Sequence, residues 1–117
     1  MDLAVWIEEL TGAVVVRVLG DSDVATEAEF AVQTGDVAAA LMPRVVVDLT
    51  GVTFLDARGL AGLVELTRQV NAHGGRLALV AVSRPRRLLR LALLDRVITV
   101  MDTVEEAVDW TTQLTKD

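Results

Sequence analysis

The side chains of this chain that could take part in catalysis or metal binding are few and scattered. There is no cysteine, and the one histidine, His73, precedes Gly74 at the predicted end of a helix. The helix dipole favours a cation there, so we interpret His73 as a helix-terminus residue rather than a catalytic base. A transition-metal site is therefore not predicted. The sequence also has no Walker-type loop and no GxGxxG after a strand, so we expect no nucleotide cofactor.

Asp48 stands at the end of a predicted buried strand, a position comparable to the phospho-accepting aspartate of response-regulator receivers. A receiver also needs an acidic cluster after its first strand and a lysine after its last strand. The only lysine of this chain, Lys116, lies in the tail, so we reject that interpretation. Because no nucleophile, base and metal ligands come together in the sequence, we expect no enzymatic activity.

The basic stretch Arg84–Arg90 could bind phosphate or acidic lipid. Leucines interleave with its arginines, which is typical of an amphipathic helix with a solvated basic face. The whole chain carries 11 basic and 17 acidic residues, a formal net charge of -6, and such a field repels nucleic acid. We favour the solvated face and expect a protein partner or a small ligand. Trp6 and Trp110 are interpreted as core or interface anchors.

The elements that must position these residues follow from the hydrophobic periodicity. Asp56 is expected to cap a helix, and Thr103–Glu106 has the pattern of a capping box. A loop is expected at Thr50–Leu55. The predicted strands are Val5–Leu10, Ala13–Leu19, Arg44–Leu49, Leu77–Val82 and Val97–Met101. The predicted helices are Thr26–Leu41, Ala57–Ala72, Arg84–Leu94 and Thr103–Leu114.

This order of elements, ββαβαβαβα, predicts one α/β domain over residues 1–117. We expect a mixed sheet of four or five strands with helices packed mainly on one face. The longest purely apolar stretch, Leu77 to Val82, has six residues, whereas a membrane-spanning helix needs about 20. The N-terminus lacks the pattern of a signal peptide. We therefore expect a soluble, cytoplasmic protein without direct membrane insertion.

Three segments, in the same order, resemble the STAS domain of bacterial anti-sigma factor antagonists. Leu19–Thr26 is similar to the turn G-E-L-D-x-x-T before the first helix of that family. Val45–Leu60 resembles its most specific signature, V-V-x-D-L-S-x-V-x-F-x-D-S-S-G-L. Gly74–Val80, followed by Leu93–Val97 and Thr103–Ala107, is similar to the closing half of the domain.

The resemblance implies a STAS-like fold and a regulator that works by exchange of protein partners. In that family, the antagonist binds an anti-sigma factor, usually a serine kinase, and frees a sigma factor. Phosphorylation of the serine after the signature aspartate then dissociates the complex. The resemblance places partner-binding residues at Asp21, Asp23, Thr26, Asp56, Ala57, Arg58, Gly59 and Leu60.

The sequence departs from the family pattern at the phosphorylation site. Ala57 stands where the family has its phosphoserine, and Arg58 replaces the next serine. Alanine has no hydroxyl, so no phosphorylation is expected at Ala57. The candidate acceptors elsewhere are Ser22, Thr26, Thr50, Thr53 and Ser83.

Plainer interpretations of these residues stay open from sequence alone. Asp56 has a role as an N-cap in any fold, Arg58 fits a solvated arginine, and Asp23 fits an Asx turn. A second function, as a STAS subunit of a lipid-transport ATPase complex or a scaffold of stressosome type, is also consistent with the sequence, as is a homodimer.

Overall fold

The computed structural model of the chain describes residues 5–10, 12–20, 43–53 and 55–113. The strands are β1 Val5–Leu10, β2 Ala13–Gly20, β3 Arg44–Val52, β4 Arg76–Val80 and β5 Thr99–Met101. The helices are α1 Ala57–Ala72, α2 Ser83–Leu91 and α3 Val104–Thr112, with a 3₁₀ turn at Leu94–Arg96. The helix predicted at Thr26–Leu41 lies outside the described residues.

The five described strands form one sheet in the order β1-β2-β3-β4-β5. β1 pairs antiparallel with β2, whereas β2 to β5 are parallel to their neighbours. Gly12 makes the turn between β1 and β2 with a φ of 85°, a conformation that glycine adopts without steric cost. The predicted mixed sheet and α/β class are confirmed.

Of the three described helices, two cover one face of the sheet and one covers the other. Val45 and Val47 of β3 pack with α1 and α2, while Val46 between them packs with α3. All three valines are fully buried, because alternate residues of a strand point to opposite faces. Parallel crossovers are right-handed in nearly all folds, so the crossovers from β3 to β4 and from β4 to β5, which advance in the same direction along the sheet, place α1 and α2 on the same side. Two of the three described helices therefore lie on one face, in agreement with the prediction.

Two close contacts fix the start of β4. A side chain at Gly75 would overlap the carbonyl oxygen of Pro43, and the Arg76 N–H donates to that same oxygen at 2.9 Å. The guanidinium of Arg76 lies 4.4 Å from the ring centroid of Trp110 and donates to the Trp110 carbonyl at 2.6 Å. Trp110 thus anchors α3 to the sheet. This agrees with its interpretation from sequence as a core or interface residue.

Several predicted boundaries differ from the structure, among them the end of β3, the start of β5 and the end of α2. The loop predicted from Thr50 begins only after Val52, because β3 continues its pairing with β2 past an irregularity between Arg17 and Leu19. β5 begins at Thr99 rather than Val97. α2 ends at Leu91 because Leu93 has a φ of 63°, which cannot continue a right-handed helix.

Candidate functional site

The N-terminus of α1 lies just beyond the carboxyl end of β3 and contains five of the predicted partner-binding residues. Asp56 has an extended backbone, and its Oδ1 accepts the Gly59 N–H at 2.9 Å. The Leu60 N–H donates to the Asp56 carbonyl, also at 2.9 Å. Asp56 is therefore the N-cap of α1, and one carboxylate oxygen is engaged in this role.

The side chains at this helix start divide into exposed and anchoring residues. Asp56, Ala57 and Arg58 are exposed, whereas Gly59 is buried and Leu60 is half-buried against the core. A Cβ at Gly59 would lie 3.0 Å from Cδ1 of Leu55, so glycine lets the first turn pack closely on this leucine. The first three residues form a surface, and the next two hold that surface on the domain.

The structure describes only some of the other predicted partner-binding and acceptor residues. Asp21, Asp23 and Thr26, and the candidate acceptor Ser22, lie outside the described residues. Thr53 and Ser83 are exposed.

Thr50 is also exposed, but its hydroxyl donates to Oδ1 of Asp48 at 2.8 Å. Of the described hydroxyl candidates, Thr53 is the one nearest in sequence to the α1 start.

Asp48 forms a buried ion pair that sequence reasoning did not find. Its Oδ2 accepts from Arg17 Nη1 at 3.0 Å, and its Oδ1 also accepts the Thr50 N–H at 3.0 Å. Asp48 is 6% exposed, so its carboxylate mainly contacts Arg17 of β2 and Thr50 of β3 rather than solvent. The signal lay in the parallel register, in which Arg17 and Asp48 are direct partners.

A cleft of about 550 Å³ opens beside this ion pair, between the sheet and the first turn of α3. Its acidic lining includes Asp102, Glu105 and Asp109. Within the described residues, no three His, Cys, Asp or Glu side chains are arranged to hold a metal ion. Nδ1 of His73 lies 2.9 Å from the Gln69 carbonyl at the end of α1, which is the helix-terminus position predicted for it.

The predicted basic helix is amphipathic, except that Leu91 lies on its exposed side. Leu89 is fully buried and Leu88 packs on the core, while Arg84, Arg87 and Arg90 are exposed. Arg86 forms an ion pair with Asp102.

Leu91, placed by sequence among the interleaved apolar residues of this helix, is instead 69% exposed. At 100° per residue it falls on the side of Arg84 and Arg87, opposite Leu89. None of the described helices is long and apolar enough to cross a bilayer.

Comparison with known proteins gives one family match and several similar structures. A family model for the STAS domain matches residues 4–107. The chain is similar to the crystal structure of an anti-sigma factor antagonist from Mycobacterium paratuberculosis, with 29% identity, a TM-score of 0.80, and 96% of each chain covered.

Two further structures share the fold at lower identity. A putative anti-sigma factor antagonist from Thermotoga maritima has 19% identity and a TM-score of 0.76, with 93% of this chain and 95% of that chain covered. The anti-sigma factor antagonist SpoIIAA in its unphosphorylated form has 23% identity and a TM-score of 0.68, with 95% and 100% covered.

Proposed function

The chain belongs to the STAS domain family, and from this premise we propose that it is a non-enzymatic, cytoplasmic anti-sigma factor antagonist. In this role it binds an anti-sigma factor of the serine-kinase type and thereby releases a sigma factor. The likeness to an anti-sigma factor antagonist at 29% identity over 96% of both chains supports the proposal.

The observation that carries the proposal is the surface at the start of α1. Asp56, Ala57 and Arg58 are consecutive exposed residues on a helix start that the buried Gly59 holds against Leu55. A capped helix start on a packed sheet is rigid, so a partner that docks here loses little conformational entropy of the site. We assign docking to this surface and, from the family resemblance, to Asp21, Asp23 and Thr26, which lie outside the described residues.

The missing hydroxyl at Ala57 determines the regulation that we propose. A phosphate at the start of a helix in an interface carries a charge of about -2, which would disrupt docking by repulsion and desolvation. Ala57 cannot accept one, so the antagonist is not released by modification at that residue. Its control passes to partner abundance or to another hydroxyl, with Ser22, Thr26 and Thr53 as the candidates.

The same alanine favours a second candidate function. A STAS subunit of a lipid-transport ATPase complex or a stressosome-type scaffold has a lasting partner and needs no phosphorylation switch. In such an assembly the α1 start would be a permanent interface, and a homodimer could be part of it.

Affinity purification of the tagged chain from its native cell distinguishes the two functions. A kinase-like or sigma-binding partner supports the antagonist, and an ABC ATPase supports the subunit. The purified partner is then titrated calorimetrically with the wild type, Arg58→Glu and Arg68→Glu. Arg68 is an exposed arginine on the same helix, so it controls for the charge change. Equal affinities of all three proteins would contradict docking at the α1 start.

A further inference from the structure

A second exposed surface lies on α2 and the turn after it, and we call it the arginine–leucine patch. Its apolar members are Leu91, Leu93 and Val97, which are 69%, 56% and 63% exposed. Together with Val82, they are the large hydrophobic residues that the described part of the chain leaves exposed. Its basic members, all exposed, are Arg84, Arg87, Arg90 and Arg96.

Helix geometry brings the two kinds of side chain together. Arg84, Arg87 and Leu91 are spaced by three and four residues, so they form one stripe on the solvent side of α2. Leu93 then leaves the helix with a φ of 63°, and its N–H donates to the Arg90 carbonyl at 2.9 Å. A leucine in this backbone region is sterically strained, and its side chain nevertheless lies mainly in water.

The charge of the patch is opposite to that of the chain. Five of the 11 basic residues lie between positions 84 and 96, where the one acidic residue is Asp95. Arg86 is paired with Asp102. Among the described residues, no acidic side chain forms an ion pair with the four basic members of the patch. A local excess of positive charge therefore stands on a molecule whose formal net charge is -6.

We propose that the arginine–leucine patch docks an acidic, partly apolar segment of a partner protein. The planar guanidinium groups suit bidentate pairing with carboxylates, and apolar side chains of the segment cover Leu91, Leu93 and Val97. Exposed apolar residues rimmed by polar ones are typical of protein interaction sites. The complementary charges steer the encounter and fix its orientation.

The charge distribution favours this occupant over a membrane or a second copy. A planar anionic bilayer would also approach Asp95, which is exposed beside Arg96, and would be repelled by it. A second copy carries the same net charge of -6, so the two molecules repel each other at a distance. A narrow acidic segment can face the arginines alone.

The patch is independent of the proposed function at the α1 start. α2 begins after the carboxyl end of β4 and leads back to the amino end of β5. By this topology Leu91 and Val97 lie towards the amino ends of the parallel strands, whereas Asp56 follows the carboxyl end of β3 and Arg84 lies in the first turn of α2, after the carboxyl end of β4. A partner docked at Asp56–Arg58 would leave the apolar members of the patch open.

The test uses the full chain and a fluorescein-labelled synthetic peptide of glutamate and leucine, with fluorescence anisotropy as the measurement. Control peptides carry glutamine or lysine in place of glutamate. The protein variants are Arg87→Glu, Leu91→Ser and, as the matched charge control, Arg68→Glu. All three side chains are exposed, and circular dichroism verifies that each variant is folded.

We expect binding of the glutamate peptide that weakens about tenfold in Arg87→Glu and severalfold in Leu91→Ser, but less than about twofold in Arg68→Glu. Equal losses in Arg87→Glu and Arg68→Glu, or no binding by the wild type, would overturn the proposal. So would binding to phosphatidylglycerol vesicles without binding to the peptide, or self-association of the chain that Arg87→Glu abolishes. None of these outcomes depends on docking at the α1 start.

Discussion

Ala57 differs by one oxygen atom from the serine that the family phosphorylates, and at the residue scale that atom decides the regulation we propose. Ala57 is exposed and follows the N-cap Asp56, so serine fits there without a change in packing. Serine is also well tolerated near a helix N-terminus. The exposed helix start therefore has room for a serine side chain, and the hydroxyl is the group that Ala57 lacks.

We predict that Ala57→Ser creates a phosphate acceptor. After incubation with the cognate kinase and ATP, intact-mass spectrometry should show one added phosphate on the variant and none at this helix on the wild type. The phosphorylated variant should bind its partner less tightly, because the added charge must be desolvated in the interface. No phosphate on either protein, despite binding to an active kinase, would show that Ala57 and Arg58 are not the presented surface.

Asp56 caps α1, and substitution can separate this role from the partner contact that we propose for it. We predict that Asp56→Ala lowers the free energy of unfolding by about 1 kcal/mol, because the Gly59 N–H loses its acceptor, whereas Asp56→Asn keeps the cap and nearly all the stability. Urea unfolding measures the free energy of unfolding of both variants. If the carboxylate charge also contacts the partner, Asp56→Asn weakens binding while it stays stable; unchanged affinity in Asp56→Asn would assign Asp56 to capping alone.

Charge reversal at Asp23 and Arg58 tests the docking assignment more directly. We predict that each reversal weakens partner binding while Arg58→Glu, at an exposed position, shifts stability by less than about 0.5 kcal/mol. Interfacial charges matter more for recognition than for folding. Calorimetry with the copurified partner measures the affinity, and a normal value for both variants would mean that the site is elsewhere.

At the scale of elements, glycines mark where the backbone segments approach most closely. A Cβ at Gly75 would meet the Pro43 backbone, whereas a Cβ at Gly51 would meet the end of the Leu19 side chain. Backbone cannot move aside, but a half-buried leucine can change rotamer. We predict that Gly75→Ala destabilises the domain by more than about 2 kcal/mol and Gly51→Ala by clearly less. Equal unfolding midpoints for the two variants would show that the Gly75 turn can relax.

Elements with local signals could be predicted from sequence, and elements that depend on distant partners could not. The bounds of α1 were predicted to the residue, because Asp56, an apolar stripe and Gly74 are all local. The extension of β3 to Val52 depends on its register with β2, which no local pattern encodes. The Arg17–Asp48 ion pair was missed for the same reason, whereas the exposure of Leu91 follows from the local periodicity of α2 and could have been predicted.

For the candidate site as well, only the role that depends on local residues could be predicted from composition and periodicity. Composition and periodicity alone predicted Asp56 as a cap, but its partner-docking role came from the resemblance. The structure adds which residues at the helix start are exposed and which anchor it. It says nothing about the partner that covers them, because the chain carries only its own half of the interface.

At the scale of the whole molecule, the two hydrophobic clusters share strands rather than dividing the chain. Neighbouring valines of β3 belong to different clusters: Val45 and Val47 to the cluster of α1 and α2, and Val46 to that of α3. Loss of β3 would therefore expose both clusters at once. This coupling makes one cooperative unit the expected behaviour of residues 1–117.

We predict that unfolding is a single two-state transition in urea. Trp110 on α3, isolated as the sole tryptophan in a Trp6→Phe variant, reports on the α3 face through its fluorescence, while far-ultraviolet circular dichroism reports on all helices. The two signals should give the same midpoint and slope, because α3 packs on the strands that also carry α1 and α2. Arg76, the first residue of β4, donates a hydrogen bond to the Trp110 carbonyl. The fluorescence of Trp110 therefore also reports on the contact between α3 and the sheet. A Trp110 transition at lower urea than the circular dichroism transition would mean that α3 detaches first and that the chain unfolds in two steps.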